Sequence, residues 1–350
     1  MPHTPAAQKT TSPPAQQPPT ALPQALVVAT HGRHCVIETA DGTRRICYQR
    51  GKKNTVLVGD RVQWAQPPAG QGEEGTIEHI LPRSNQFYRQ DDIRTKAFAA
   101  NLDQILIWLA AEPEFSHKLL GRALIAAEAA HITPIVVLNK SDLHEAHQRG
   151  WQRLASCRAM HYPTLAVSLQ SAPPAAEIAS ANASASALGT IPPTEQQTHN
   201  DLHQLWQTLQ GKKTLVLGPS GTGKSTLINW LLPDAGAQTG EISQALNSGK
   251  HTTTNTLWYW LDKASGTAII DSPGFQEFGL HHISPAQLAT LMPDIRAHTG
   301  DCRFYNCTHL HEPGCAILAA VGQNPEQQGI DGLRHQLYAE LFAQLGQTRY

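Results

Sequence analysis

Eight consecutive residues, Gly218-Pro219-Ser220-Gly221-Thr222-Gly223-Lys224-Ser225, fit the phosphate-binding pattern G-x-x-x-x-G-K-[ST] in full. The chemistry of such a loop is mostly backbone chemistry. Residues without Cβ atoms let successive amides curl around a phosphate at the start of the next helix, where the N–H groups have no intrahelical partners. Lys224 would reach the β- and γ-phosphates, Ser225 would ligate Mg2+, and Thr226 would complete the first turn. A second stretch, Asn139-Lys140-Ser141-Asp142, fits N-K-x-D. A carboxylate there can accept from guanine N1–H and the exocyclic amine, whereas adenine offers no such adjacent donors. A third, Asp271-Ser272-Pro273-Gly274, sets a carboxylate at a strand end for Mg2+ and a Gly274 amide for a γ-phosphate. Before it, in Ser248-Gly249-Lys250-His251-Thr252-Thr253-Thr254, one threonine, taken as Thr253, would complete the Mg2+ shell. The last constellation is Cys302-x4-Cys307-x-His309-x5-Cys315. Three thiolates and an imidazole at this spacing suit a closed, structural zinc site. Both His309 and His311 lie close enough to supply the nitrogen.

These residues need strands and helices to hold them. Lys212-Lys213-Thr214-Leu215-Val216-Leu217 reads as a buried strand before the phosphate loop, and 226–232 as the helix after it. Apolar runs at 102–109 and 134–138, the latter ending in Asn139, read as strands around a helix at 118–130. A third strand falls near 164–167, and strands at 256–261 and 267–270 lead to Asp271. Alternating β and α implies a parallel sheet covered by helices. Leu202, Leu205, Trp206 and Leu209 form one helical face closed by Gly211. Five short strand-like runs between residues 26 and 80 suggest an OB-type barrel. Within it, residues 44–53 carry five cations (Arg44, Arg45, Arg50, Lys52, Lys53) and Tyr48. That composition suits a phosphate-tracking groove with a stacking platform, or equally a solvated loop. Ser284-Pro285 reads as a capped helix start, and 333–345 as a final helix.

Composition narrows the classes. A formal net charge of −1 over 350 residues gives no global attraction to nucleic acid, so an RNA partner must meet a local patch. The longest apolar run, 105–111, is too short to span a bilayer, and residues 1–24 lack a signal-like apolar centre. The expectation is a cytoplasmic monomer with no membrane or DNA partner. Residues 1–24 hold seven prolines, and 171–200 hold eight Ala, four Ser and four Pro. Both read as disordered, because short side chains offer little apolar area against the entropy of ordering. Cys35 and Cys47, on strands, read as small buried hydrophobes.

In chain order the elements run N-K-x-D, phosphate loop, threonine loop, D-x-P-G, whereas a Ras-like protein places its base-reading loop last. Such an order is a circular permutation. Preceded by a small barrel and followed by a Cys/His cluster, it resembles the RsgA (YjeQ) family of bacterial GTPases that depend on the small ribosomal subunit. The likeness covers residues from about 26 to 345. It is carried by Val58-Gly59-Asp60-Arg61-Val62, Pro82-Arg83-Ser84-Asn85, Ala100-Asn101-Leu102-Asp103-Gln104 and the five constellations above. The resemblance implies GTP hydrolysis stimulated by the small (30S) subunit during its late maturation, contact with 16S rRNA, one structural zinc on Cys302, Cys307, His309 and Cys315, and GTP/GDP with Mg2+. It also points to His251 as the group that orients water, because Phe275 stands where a Ras-like protein has its glutamine. The guanine-supporting loop after the third strand is reduced to Val167-Ser168. The domain expectation is 1–24 tail, 25–90 OB-fold barrel, 91–283 permuted α/β P-loop GTPase domain, and 284–350 helical zinc-binding module. Two other readings use the same residues: an ATPase or kinase, which Asn139 to Asp142 oppose, and an RNA-binding adaptor that only senses nucleotide.

Overall fold

The structure, a computed structural model, describes residues 22–50, 55–67, 74–91, 95–170, 172–180, 193–233, 256–272, 275 and 278–347. Five strands, β1 (Gln24–His31), β2 (His34–Thr39), β3 (Arg44–Gln49), β4 (Arg61–Ala65) and β5 (Gly75–Ile80), pair in the order β1-β2-β3-β5-β4 and close through β1 with β4. All contacts are antiparallel except β3 with β5. This is the five-stranded closed barrel expected of an OB-type fold. Val27, Cys35, Ile37, Cys47, Val62, Trp64 and Ile77 fill it. Burial pushes the Cys35 thiol up to about 12 and the Cys47 thiol up to about 11, so both behave as apolar side chains.

A hairpin follows, β6 (Gln86–Gln90) with β7 (Thr95–Ala100). The junction expected at residues 90/91 falls between its two strands. Next come β8 (Gln104–Ala110), α1 (His117–Ala129), β9 (Thr133–Asn139), α2 (His144–Arg153), α3 (Ala155–Ala159) and β10 (Thr164–Ala166). After them lie α4 (Ala175–Ser180), α5 (Pro193–Leu209), β11 (Lys213–Leu217), α6 (Lys224–Leu231), β12 (Leu257–Asp262) and β13 (Thr267–Asp271). Their sheet order is β10-β9-β8-β11-β13-β12, parallel except for β12. Strands β8, β9 and β10 precede β11 in the chain yet extend the sheet beyond it. The chain order is therefore permuted while the neighbours of a Ras-like sheet are kept. Because β9, β11 and β13 are parallel, the turns after them gather at one edge, where ligands of open α/β sheets sit.

The segment 171–200 departs from the expectation of disorder. Within it, α4 buries Ala175 and Ile178, Trp230 Nε1 donates to Pro173 O at 2.7 Å, and α5 starts at Pro193 rather than near Asp201. Alanine is the strongest helix former and Ile178 supplies one fully buried anchor, so composition alone understated the order. Residues 181–192 and the 1–24 tail up to residue 21 lie outside the described residues.

The C-terminal part is a set of short helices, α7 (Pro285–Leu288), α8 (Pro293–Arg296) and α9 (Ala316–Ala320), and the longer α10 (Gly332–Gly346). Ser284 and Gln287 form a capping box with Pro285 at the first position, so the start is as expected; the α-helix itself lasts four residues before a 3-10 turn at Ala289–Leu291. Leu337, Tyr338 and Leu341 of α10 belong to the same core cluster as α1 and the central sheet. Gly121 of α1 lets the helices approach closely here, since a Cβ there would stand 2.3 Å from Leu337 Cδ2 and force that side chain to shift. Arg334 pairs with Asp294 through two bonds of 2.9 and 2.7 Å inside the same seam. Among the described residues, no helix is long and apolar enough to cross a membrane.

Candidate nucleotide site and metal cluster

The loop between β11 and α6 is shaped by its neighbours. Gly218 abuts β8, where a Cβ would lie 2.6 Å from Trp108 O, and Gly221 and Gly223 have φ of +82° and +87°. Thr222 is buried and its hydroxyl donates to Pro219 O at 2.9 Å, which closes the loop on itself. Ser220, Gly221, Ser225 and Thr226 are exposed, so the inner amides and the Ser225 hydroxyl are open to a ligand. Lys224 starts α6 and its ammonium contacts the Asp271 carboxylate at the end of β13. The arrangement can bind phosphate through amides and an ammonium, and a hard divalent cation through hydroxyl and carboxylate oxygens.

The base-reading stretch sits at the end of β9. Asn139 is buried, its Nδ2 donates to Thr222 O at 2.9 Å, and its Oδ1 has no hydrogen-bond partner among the described residues. Such an acceptor is free to take a donor from a ligand. Lys140 takes φ +64° and its ammonium bonds Glu112 O, while the Ser141 amide donates to Val167 O at 3.1 Å. Asp142 is partly exposed and accepts from the Ser168 hydroxyl at 2.5 Å. The short loop after β10 thus does contact the carboxylate, although sequence gave Ser168 only a position. A donor on one oxygen leaves the rest of the Asp142 carboxylate to accept from a base, the geometry guanine needs.

Asp271 and the phosphate loop meet as expected. His251, Thr253 and the rest of the threonine loop, together with Pro273 and Gly274, lie outside the described residues. Phe275 is buried and its ring packs on Phe278 at 5.9 Å; Phe278 in turn touches Phe87 at 5.5 Å and Phe98 at 6.0 Å. The residue in the glutamine's place is therefore a core anchor against the β6/β7 hairpin. The rings of distant sequence, Phe87 and Phe98, reach it through Phe278, so no local signal exposes that role.

At the other end, the ligand atoms of Cys302, Cys307, His309 and Cys315 lie within 4.8 Å of one another. Tetrahedral ligation with metal–sulfur bonds of about 2.3 Å sets sulfurs ~3.8 Å apart and sulfur and nitrogen slightly closer. Cys302 Sγ lies 3.9 Å from Cys315 Sγ and 3.5 Å from His309 Nδ1, and Cys315 Sγ lies 3.7 Å from that nitrogen. The donor set and spacing fit zinc. His311 is exposed and outside the cluster. Glu312 holds the loop in shape, accepting from the Thr308 amide at 2.9 Å and the Leu310 amide at 3.1 Å; hydrogen bonds from Thr308 hold its carboxyl well below the usual range. His335 Nε2 donates to His309 O at 2.8 Å and Tyr338 Oη to Thr308 O at 3.0 Å, which ties the cluster to α10.

The basic barrel stretch is partly committed internally. Arg44 Nε bonds Glu38 at 3.2 Å, Arg45 lies 5.7 Å over the Trp64 ring, and Arg50 is 3.5 Å from Glu78. Tyr48 is 40% exposed, and Lys52 and Lys53 fall outside the described residues.

A permuted Ras-like sheet, a glycine-rich phosphate loop and a guanine-type base loop at one sheet edge define a circularly permuted P-loop GTPase with an N-terminal barrel and a C-terminal Cys/His module. The chain belongs to the RsgA GTPase family, whose model matches residues 80–188 and 174–281. It is 56% identical over 329 residues to the small ribosomal subunit biogenesis GTPase RsgA of Variovorax paradoxus, covering 94% of each chain. It is 48% identical over 325 residues to the protein of the same name from Burkholderia pseudomallei, covering 93% of each. Among solved structures it resembles YloQ, a circularly permuted GTPase, with a TM-score of 0.61 at 24% identity over 94% of this chain and 97% of that one. YjeQ from Thermotoga maritima gives 0.63 at 26% identity over 93% and 99%. The protein is accordingly a GTP hydrolase.

Proposed function

We propose that this GTPase binds the small ribosomal subunit late in its maturation, hydrolyses GTP to GDP and phosphate faster when bound there, and then leaves. The observation that carries this reading is kinship along nearly the whole chain to proteins named for small-subunit biogenesis, 56% identical in one case. In the reaction, the amides of residues 218 to 223 and the Lys224 ammonium hold the phosphates, and the Lys224–Asp271 contact gives way when phosphate and Mg2+ arrive. Ser225, Thr253 and Asp271 hold Mg2+, which supplies charge neutralisation on the phosphates. The Gly274 amide senses the γ-phosphate, Asn139 to Asp142 select guanine, and His251 orients the attacking water. Zinc on Cys302, Cys307, His309 and Cys315 has no open position for chemistry and keeps its loop folded. The barrel, through Arg45, Arg50, Lys52, Lys53 and the exposed Tyr48, and the Cys/His module contact 16S rRNA. The protein works as a cytoplasmic monomer. Co-sedimentation tests the partner: with a non-hydrolysable GTP analogue the protein should pellet with small subunits and not large ones, less with GDP, and less as salt is raised. Equal recovery with both subunits would contradict the proposal.

A further inference from the structure

Trp108 belongs to none of the nucleotide motifs, yet it grips the phosphate loop at both ends. It lies near the end of β8 with its ring fully buried. Its indole Nε1 donates to Thr222 O at 3.0 Å, and Asn139 Nδ2 donates to the same oxygen at 2.9 Å. A carbonyl oxygen has two lone pairs, so these two donors satisfy it from the side of β8 and β9. The peptide joining Thr222 to Gly223 is trans, since the one cis bond among the described residues is Glu112–Pro113. In a planar trans peptide the N–H points opposite the C=O, so the Gly223 amide faces away from both strands. At the loop's start, Trp108 O and Cβ stand 2.6 and 3.3 Å from where a Cβ of Gly218 would be. At its end, a Cβ on Gly223 would meet Asn139 Nδ2 at 2.7 Å and Trp108 Nε1 at 3.9 Å. Neither glycine can be replaced without moving the tryptophan or its neighbour.

We infer that Trp108 is a positioning residue for nucleotide: its indole N–H fixes the peptide between residues 222 and 223 so that the Gly223 amide is aimed at the phosphates. The inference rests on the phosphate-binding reading of this loop. By sharing one acceptor, Trp108 and Asn139 also lock the phosphate loop and the base-reading strand β9 into a single unit. A preset amide holds ground state and transition state alike, so its loss appears in affinity and KM while kcat at saturation stays. The aromatic ring alone cannot do this, because it has no donor other than Nε1.

Trp108→Phe removes the N–H and keeps most of the ring volume. Dissociation of fluorescent GDP and GTP analogues should be about 3- to 10-fold faster, the loss expected for one neutral hydrogen bond, with kcat within about twofold of the parent. A folded Phe variant with parental release rates would overturn the inference, as would a fall in kcat at unchanged KM. Should the Phe variant fail to fold, replacing Trp108 by its benzothienyl isostere, which swaps N–H for sulfur in the same shape, decides: faster release supports the role and unchanged release removes it. If the parent protein itself bound neither GDP nor GTP, the phosphate-loop reading would fall first and this inference with it.

Discussion

In the proposed base recognition, two side chains, Asp142 and Ser168, would set the specificity. The carboxylate must be aimed as well as charged, and the Ser168 hydroxyl at 2.5 Å aims it. Asp142→Asn replaces an acceptor with a mixed donor and acceptor, so preference should move from GTP to xanthosine triphosphate, whose base presents a carbonyl where guanine has its amine. Competition binding checks this; an Asn variant that still prefers GTP by the parental ratio would remove Asp142 from base recognition. At this scale the motifs were legible in sequence because each is a run of neighbours whose backbone forms the site. Trp108 and Phe275 were not: Trp108 acts on Thr222, more than a hundred residues away, and Phe275 packs on Phe278, which carries it to Phe87 and Phe98 of the distant β6/β7 hairpin.

At the scale of elements, the barrel is joined to the sheet by features that sequence marked without explaining. Asp60 is fully buried, and Arg83 clasps it with bonds of 2.6 and 2.7 Å while also reaching Thr55 O. Gly59, at φ +90°, brings its backbone to Ala100, where any Cβ would lie 2.2 Å from the carbonyl oxygen. Asn101 Nδ2 donates to Gly59 O at 2.8 Å, and Asn85 exchanges two hydrogen bonds with the backbone of Leu102. The three stretches around Gly59, Arg83 and Asn101 are thus one joint. Asp60→Asn leaves the Arg83 guanidinium without its counter-charge, and removing one partner of a buried pair costs about 3–5 kcal/mol. Denaturant unfolding should show a loss near the lower figure, because Arg83 is partly exposed; an unchanged midpoint would mean the joint does not depend on the charge. The metal cluster makes a comparable claim at the other end. The purified protein should carry about one zinc per chain, and Cys307→Ser should lose it and raise protease sensitivity beyond residue 285 or so, since metal binding in so small a loop is folding free energy. A metal-free protein that remains protected there would contradict it.

Taken whole, the molecule couples its parts through the sheet and a shared core. Strand β12, which follows the threonine loop, pairs with β1 of the barrel at Ala29 and Leu257. Trp260 and Lys263 at the far end of the same hairpin bond Glu38 of β2 at 2.9 and 2.8 Å. The segment after Asp271 enters the aromatic cluster of the β6/β7 hairpin, and the Gln90 amide donates to Gly279 O at 3.0 Å. The two stretches proposed to sense nucleotide are therefore each followed in the chain by elements that belong to, or brace, the barrel. Sequence order exposed the permutation and the three parts, but the continuity between them arises from pairings between distant segments. The helices at the two ends of 171–200 escaped a reading from composition on the same ground, since Ile178 is stabilised by a core that local composition does not reveal.

Such wiring makes GTP turnover the quantity that a bound partner should change. With Phe275 buried where a Ras-like protein has its water-orienting glutamine, the free protein should turn over slowly, near the ~10⁻⁴–10⁻² s⁻¹ of unassisted GTPases. Phosphate release measured for the protein alone, with purified small subunits and with large subunits should rise only with small subunits. His251→Ala should abolish that rise while leaving GTP affinity nearly intact, a loss of roughly 10²–10⁴-fold for a positioned catalytic group. Equal rates under all three conditions would contradict the account and leave a GTPase whose partner lies elsewhere.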